Sequence, residues 1–306
     1  MLRRQPGRHR GPMTEKREQP HGMKVIHVQA FVSGTWRAIM TGQLDGTVVK
    51  DRVDACGLDT YYEVHGAGEP LLYLHGGFNT IEMLGGILPQ LAQRYRVYLP
   101  ERQGQGRTPD RDGPVTFQSM AADTIAFFDA VGLSAAHLVG FSDGAMVAIH
   151  VALQRPDLVR RLILIGQYAN PDGCPPFYAE LMEQFTPDSF PAMFRQMYNS
   201  LSPDGPEHFP VFFNKLKPNW LSPGVPLERL RDVRSPALVL IGDDDCVTPE
   251  HAAAMVRALP AGSQLGVVPG TSHGLPFEKP DLVDQLILDF LKDQQTEKMI
   301  RPANES

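Results

Sequence analysis

The sequence predicts an α/β fold, in which a mainly parallel central sheet is covered on both faces by helices. Three observations lead there. Short apolar runs rich in branched residues, at 71–74, 95–99, 136–139, 162–165, 237–241 and 264–268, have the length and composition of buried strands. Helix-periodic segments separate most of them, and strands alternating with helices wind a parallel sheet. A chain of 306 residues, 42% of them hydrophobic, is ample for one large core.

Taken in order, residues 1–22 are rich in Arg, Gly, Pro and Gln and are expected to be disordered. Residues 23–50 are ambiguous. Residues 25–32 could form a strand, yet Met13, Met23 and Met40 each offer an alternative start, so 1–50 reads as a partly disordered N-terminal extension. Arg52-Val53-Asp54-Ala55 and residues 59–64, joined through Cys56-Gly57-Leu58, form an edge hairpin. Residues 71–74 are the first buried strand, a helix spans 81–95, and 95–99 is the second strand. A helix over 117–131 leads into the strand 136–139. Another helix begins at Ala145 and is followed by the strand 162–165. From Gly166 to about Arg231 the alternation stops. This stretch is crowded with aromatics and methionines, among them Tyr178, Met182, Phe185, Met193, Phe213 and Trp220, and is broken by prolines. Strands 237–241 and 264–268 complete the sheet, and a closing helix over 281–292 carries Leu282, Leu286 and Phe290 on its apolar stripe. The expected body is therefore split into 51–170 and 232–293 around a helical insert, 171–231, with a tail at 294–306. No internal repeat is present.

The most informative stretch is Leu138-Val139-Gly140-Phe141-Ser142-Asp143-Gly144-Ala145-Met146. An apolar run meets Gly-x-Ser-x-Gly, and a helix-favouring run follows. In the elbow this pattern marks, a buried strand turns sharply into a helix and the central residue is held strained, with its side chain exposed. Gly140 and Gly144 stand where neighbouring backbone comes too close for a Cβ. The helix N-terminus beside Ser142 offers free N–H groups and the positive end of a dipole to an oxyanion. Ser142 is thus the candidate nucleophile.

An acid and a histidine follow in the chain order such an elbow requires. The strand 237–241 ends in Gly242-Asp243-Asp244-Asp245-Cys246-Val247-Thr248-Pro249, which places carboxylates on the sheet edge where open α/β sheets carry their sites. The next strand ends in Pro269-Gly270-Thr271-Ser272-His273-Gly274. From that loop the His273 imidazole can reach Ser142 and be oriented by the acid. Of the ten histidines, His65, His137, His150, His208 and His251 lack such a position and read as surface or packing residues, and His9, His21 and His27 lie outside the core pattern.

These motifs, together with Leu74-His75-Gly76-Gly77-Phe78 and Gly104-Gln105-Gly106-Arg107-Thr108 after the first two buried strands, resemble an α/β-hydrolase-fold serine hydrolase. The resemblance covers residues 52–292. More finely, Gly-Phe-Ser-Asp-Gly followed by Arg155-Pro156-Asp157-Leu158 is similar to the valacyclovir-hydrolase-like (biphenyl-hydrolase-like) group and to bacterial esterases. The resemblance implies a triad of Ser142, His273 and Asp245, the last chosen because the family's Gly-x-x-Asp-x-x-x-Pro pattern puts the acid there, with Asp243 and Asp244 as alternatives. It implies an oxyanion hole made by the backbone N–H of Asp143 and that of Gly77 or Phe78, with His75 supporting the loop. It implies a helical cap at 171–231 above the nucleophile, with Phe78, Phe141 and Asp143 as candidate substrate contacts. Gln103 and Gln105 depart from the Arg and His common in relatives, which puts the polar rim in doubt.

Asp143 is the unusual residue. A carboxylate beside a developing negative charge opposes it unless turned away or neutralised. It either lies along the helix surface and accepts a hydrogen bond, or faces the pocket and attracts a cation such as the amine of an amino-acid ester. The chemistry implied is hydrolysis of a small-molecule ester with an apolar part. A C–C-bond hydrolase, a lactonase, a perhydrolase or a slow-turnover receptor on this fold would keep the same three residues.

Net charge of −6 argues against a nucleic-acid partner. Three cysteines, Cys56, Cys174 and Cys246, are too few and too scattered for a disulfide framework or a metal site. No nucleotide or metal motif calls for a cofactor. The basic N-terminus lacks the apolar region of a secretory signal, and no apolar run is long enough to span a bilayer, so a cytoplasmic monomer or homodimer is expected.

Overall fold

The computed structural model describes residues 48–292. The expected strand at 25–32, nearly all of the extension 1–50 and the tail 294–306 lie outside the described residues.

Eight strands form one sheet in the order β1-β2-β4-β3-β5-β6-β7-β8. β1 (Val49–Asp54) and β2 (Asp59–His65) pair antiparallel, with Arg52 opposite Tyr61. They turn at Cys56 and Gly57, whose φ values of 58° and 78° are those of a two-residue hairpin turn matching the strand twist. β2 is also antiparallel to β4 (Tyr95–Pro100). β3 (Glu69–Leu74), β4, β5 (Ala136–Phe141), β6 (Val159–Ile165), β7 (Ala237–Asp244) and β8 (Gln264–Ser272) run parallel.

Both faces of the sheet are covered, so its central strands carry consecutive apolar residues, as at Leu71–Leu74 and Leu162–Ile165, rather than alternate ones. Leu72, Leu138, Leu162 and Leu164 pack on one face with Phe117, Met120 and Phe127 of α2 (Phe117–Ala130) and Met146 and Ile149 of α3 (Asp143–Gln154). Leu71, Tyr73, Val139, Ile163 and Ile165 face the other way, toward Leu88 and Leu91 of α1 (Leu88–Ala92). α2 begins at a reciprocal cap, in which Thr116 Oγ1 accepts from Ser119 N and Ser119 Oγ accepts from Thr116 N.

Between β6 and β7 lie α4 (Pro176–Gln184), α5 (Ala192–Leu201) and α6 (Phe209–Leu216). α7 (Pro249–Ala258) joins β7 to β8, and α8 (Leu275–Glu278) and α9 (Pro280–Phe290) follow β8.

Two expectations need correction. The single helix expected at 81–95 is a 3-10 segment, Ile81–Gly86, followed by the short α1. Gly85-Gly86 costs helix stability in mid-run, and Pro89 has no N–H to continue the ladder, so a second start is made there. In α9 the buried stripe is Val283, Ile287 and Phe290, whereas Leu282 is 36% exposed.

The same face of α9 also buries Asp284 completely, with both carboxyl oxygens lacking a hydrogen-bond partner. The Tyr73 hydroxyl of β3 is likewise buried without one. Burial, with Asp281 nearby, pushes the Asp284 carboxyl up from 3.8 to about 8. Between those values the unfolded chain releases the proton and the folded chain keeps it, so stability falls as pH rises through that window. Asp284→Leu should flatten this decline and raise Tm at pH 8 far more than at pH 4, as thermal unfolding at both pH values would show. A Tm gain that is equal at the two would contradict the assignment.

Candidate active site

β5 carries the chain to Phe141, and α3 starts at Asp143. Ser142 between them has φ 52° and ψ −125°, a conformation few non-glycine residues hold. Its surroundings enforce the turn. Ser142 N donates to Ile165 O at 2.8 Å, and Ser142 O accepts from Ala145 N at 2.8 Å. A Cβ on Gly140 would lie 2.4 Å from Gly144 O, and one on Gly144 would lie 2.2 Å from Leu74 O. Both glycines of the motif are therefore dictated by close backbone approach.

The ends of β7 and β8 bring the other two predicted residues to this point. Ser142 Oγ lies 3.0 Å from His273 Nε2, and His273 Nδ1 lies 2.9 Å from Asp245 Oδ1. Asp245 Oδ1 also accepts from Cys246 N at 2.7 Å, and Oδ2 from Gly242 N at 3.2 Å. Burial raises the Asp245 carboxyl, but the facing imidazole and the backbone N–H of Gly242 outweigh it and hold the group below its ordinary value. For His273 burial opposes the charge, and the neighbouring groups reverse the balance to place the ring well above the usual imidazole value. Cys246 is one of those neighbours, but burial raises its thiol, so it stands there neutral and Asp245 supplies the charge.

Among the three adjacent aspartates, only Asp245 meets the histidine. Asp243 and Asp244 are exposed, and Asp243 Oδ1 accepts from Thr271 N at 2.9 Å, tying β7 to β8. The cap near Thr248 is Thr248 itself, whose Oγ1 accepts from His251 N.

Two neighbours of His273 escaped sequence reasoning. Glu278 of α8 accepts from Ser272 N at 2.7 Å and from Ser272 Oγ at 2.5 Å, anchoring the histidine loop from five residues downstream. Cys246 Sγ lies 3.3 Å from His273 Nδ1. Asp245, Cys246 and His273 thus gather an oxygen, a sulfur and a nitrogen within 4.8 Å of one another.

The loop after β3 is held by buried Arg102. Its Nη2 donates to His75 O at 2.6 Å and to Gly76 O at 2.9 Å, and its backbone N donates to His75 Nε2 at 3.3 Å. Burial and the Arg102 charge push the His75 ring down to about 3, so it is neutral, with Nδ1 donating to Gly76 O. This is the loop-supporting place the sequence suggested for His75.

Phe78 is a correction. Its N–H, one of the two expected oxyanion donors, is taken by Gln105 Oε1 at 2.7 Å. Its ring packs 4.9 Å from Phe190 and 5.5 Å from Phe213, turned away from the cavity over Ser142 that it was expected to line. The same bond corrects the view of Gln105, which is a buried loop brace and not part of a polar rim; Gln103 is buried too and donates to Asp110 Oδ1 at 2.8 Å.

Gly77 and Asp143 both line that cavity. Asp143 does not lie along the helix surface. Its Oδ2 sits where a Cβ on Gly77 would be only 2.3 Å away, and it accepts from Trp220 Nε1 at 3.4 Å. Burial raises the Asp143 carboxyl, while the charge of Arg102, the Trp220 hydrogen bond and His273 pull it back in part.

The cavity has a volume of about 480 Å³. Phe141, 5.2 Å from the His273 ring, forms part of its floor. From the β6–β7 insert come Tyr178, Met182, Phe185, Met193, Phe194 and Trp220. Phe209, Phe212 and Phe213, from the same stretch, are fully buried and build the packing behind that wall. Asp143 and Glu278 supply carboxylates, and among the described residues no Lys or Arg lines the space.

A strained serine on a strand–helix turn, a histidine within reach of it and a buried aspartate behind, all on one edge of such a sheet, define an α/β hydrolase. The alpha/beta hydrolase family model matches residues 64–286, and the chain belongs to that family. The protein named "Putative carbamate hydrolase RutD" of Azorhizobium caulinodans is 26% identical over 252 residues, covering 76% of this chain and 94% of its own. The 2-hydroxy-6-oxo-2,4-heptadienoate hydrolase of Pseudomonas putida is 27% identical over 259 residues, covering 78% and 94%. Among solved structures, the thermophilic esterase of Thermogutta terrifontis is 25% identical, with a TM-score of 0.63 and coverage of 80% and 98%. No helix of the described residues is long and apolar enough to cross a membrane.

Proposed function

We propose that this chain is a serine hydrolase that cleaves a small carboxylic ester through an acyl-enzyme on Ser142. The observation that carries this reading is the continuous relay of Ser142 Oγ, His273 and Asp245, at 3.0 and 2.9 Å, with Ser142 and His273 lining the cavity and Asp245 buried behind. His273 takes the Ser142 proton as Oγ attacks the carbonyl, then returns it to the leaving alcohol. A water repeats the cycle on the acyl-enzyme. Asp245 holds the ring with Nδ1–H toward itself and stabilises the charged form. Asp143, at the first position of α3, has an N–H with no intrahelical acceptor. With the Phe78 N–H taken by Gln105, Gly77 is the second oxyanion donor.

The cavity chemistry favours esters over the dienoate named for the Pseudomonas putida relative. A dienoate brings a carboxylate, and this cavity meets it with Asp143, Glu278 and, among the described residues, no Lys or Arg. A neutral ester leaves Asp143 free to take up the proton that burial favours. An ester carrying an amine keeps it ionised as a partner, the pairing that the resemblance to amino-acid ester hydrolases suggests.

The test is a panel of neutral acyl esters, amino-acid esters and dienoates, with wild type and Asp143→Asn. Esters should turn over steadily, and dienoates should not. Asp143→Asn should lower kcat/KM for amino-acid esters roughly ten- to hundredfold relative to neutral esters of equal size, since a partly buried ion pair is lost. Equal losses on both ester sets would remove the cation reading. A single adduct per chain without release would replace the enzyme by a receptor.

A further inference from the structure

We propose that Asp245, Cys246 and His273 form a binding site for a thiophilic divalent cation, Zn²⁺ or Cd²⁺, and that occupation switches the serine site off. The inference rests on side chains that the proposed hydrolysis does not explain. Ester cleavage requires Asp245 and His273 but gives no part to a thiol, yet Cys246 Sγ lies 3.3 Å from Nδ1, alongside Asp245 Oδ1 at 2.9 Å. Both face the same ring nitrogen, and all three donor atoms fall within 4.8 Å of one another. Zinc is held by His nitrogen at about 2.0 Å and Cys sulfur at about 2.3 Å in a tetrahedron. Tetrahedral angles then set neighbouring donors roughly 3.3 to 3.5 Å apart. The two spacings to Nδ1 need to open by only a few tenths of an ångström, and the carboxylate and the thiol, within 4.8 Å of each other, settle to the tetrahedral spacing by side-chain rotation.

Carboxylate, imidazole and thiolate together suit zinc and cadmium, whereas magnesium and calcium prefer oxygen alone. Cys246 and His273 both border the cavity, which gives the cation a route in and an open fourth position for water.

The proton balance shows why occupation inhibits. In the free site Nδ1 carries the ring proton and Nε2 is open to accept from Ser142 Oγ. A cation on Nδ1 takes that lone pair, so the ring proton moves to Nε2. Cys246 loses its thiol proton to solvent, and Asp245 binds as the carboxylate it already is. With the ring neutral one proton is released per cation bound, from the thiol, and where the free ring is charged a second leaves from the ring, so affinity rises with pH. With Nε2 protonated, the ring can only donate toward Ser142, and no base remains for it.

Two readouts test the site. Cadmium binding to the full chain is followed by the ultraviolet thiolate-to-cadmium charge-transfer band, which is independent of substrate and of the proposed reaction. Ester turnover is followed in parallel. Wild type should bind one Cd²⁺ with growth of the band, lose turnover over the same concentration range, and recover both on adding EDTA. Cys246→Ala should lose the band and need more than roughly a hundredfold more Cd²⁺ for inhibition, beyond the cost of removing an outer-shell partner. Cys174→Ala, which removes the other thiol bordering the cavity, should keep both responses. If Cys246→Ala does not fold, the wild-type chain still decides through the proton count and the band. A wild type without the band, or a band lost in Cys174→Ala instead, would overturn the site. A band with no ester turnover under any condition would leave the cation site standing and fail the esterase reading alone.

Discussion

Ser142→Ala should abolish ester hydrolysis, a loss of several powers of ten in kcat, while the protein stays folded. The geometry supports both halves. Alanine keeps the Cβ and so carries the same backbone cost at φ 52°, and the hydrogen bonds that hold the elbow, Ser142 N to Ile165 O and Ala145 N to Ser142 O, are main-chain bonds that the substitution leaves in place. The only side-chain bond removed is the one to His273 Nε2. The cavity, the two N–H groups proposed for the oxyanion and the Asp143 side chain remain, so the variant should still bind substrate. A serine-directed phosphonate should label wild type at Ser142 and leave the variant unlabelled. Substantial residual turnover in a folded variant would remove Ser142 from the mechanism.

The elbow was legible because its motif is contiguous, although its constraints are only partly local. Gly140 is required by the backbone of Gly144, four residues on, whereas Gly144 is required by Leu74 O of β3 and the Ser142 turn is tied to Ile165 O of β6. The positions of Asp245 and His273 were legible for a related reason: each ends a recognisable strand run, and parallel strands deliver their ends to one edge. What failed at Phe78, or was left open at Asp143, depends on partners remote in sequence. Gln105 takes the Phe78 N–H across 27 residues, and Trp220 turns Asp143 into the cavity across 77. Nothing near Phe78 or Asp143 announces either contact.

The closing helix shows a different kind of failure. Leu282, Leu286 and Phe290 make one apolar stripe, and Val283, Ile287 and Phe290 make another. Only docking against the sheet selects the second, with Asp284 carried into the core beside it. In the insert, composition announced an aromatic core but not its division. Phe212 and Phe213 are buried behind the wall while Phe185 and Phe194 line the cavity, a difference set by how three short helices lie on the body.

Asp245→Asn should lower kcat on the order of a thousandfold and move the acid limb of the pH profile downward. The bonds around the carboxylate fix how the asparagine sits. Oδ1 takes two donors, Cys246 N and His273 Nδ1, whereas Oδ2 takes only Gly242 N at 3.2 Å. An amide nitrogen in the first place would face two N–H groups, so it sits better toward Gly242, and the amide oxygen keeps the ring tautomer. The loss then comes from the missing charge, which in the wild type holds the His273 pKa well above its ordinary value. His273 must be neutral to accept the Ser142 proton, so kcat/KM of the wild type should rise with pH along a limb displaced above the ordinary imidazole value of about 6.5. Without the carboxylate charge, burial is opposed only by neutral neighbours, and the limb should move down from its wild-type position. Asp243→Asn and Asp244→Asn, at exposed positions away from the ring, should keep both rate and limb. A crippled Asp243 or Asp244 variant, or an Asp245→Asn enzyme whose limb stays where it was, would take the orienting role away from Asp245.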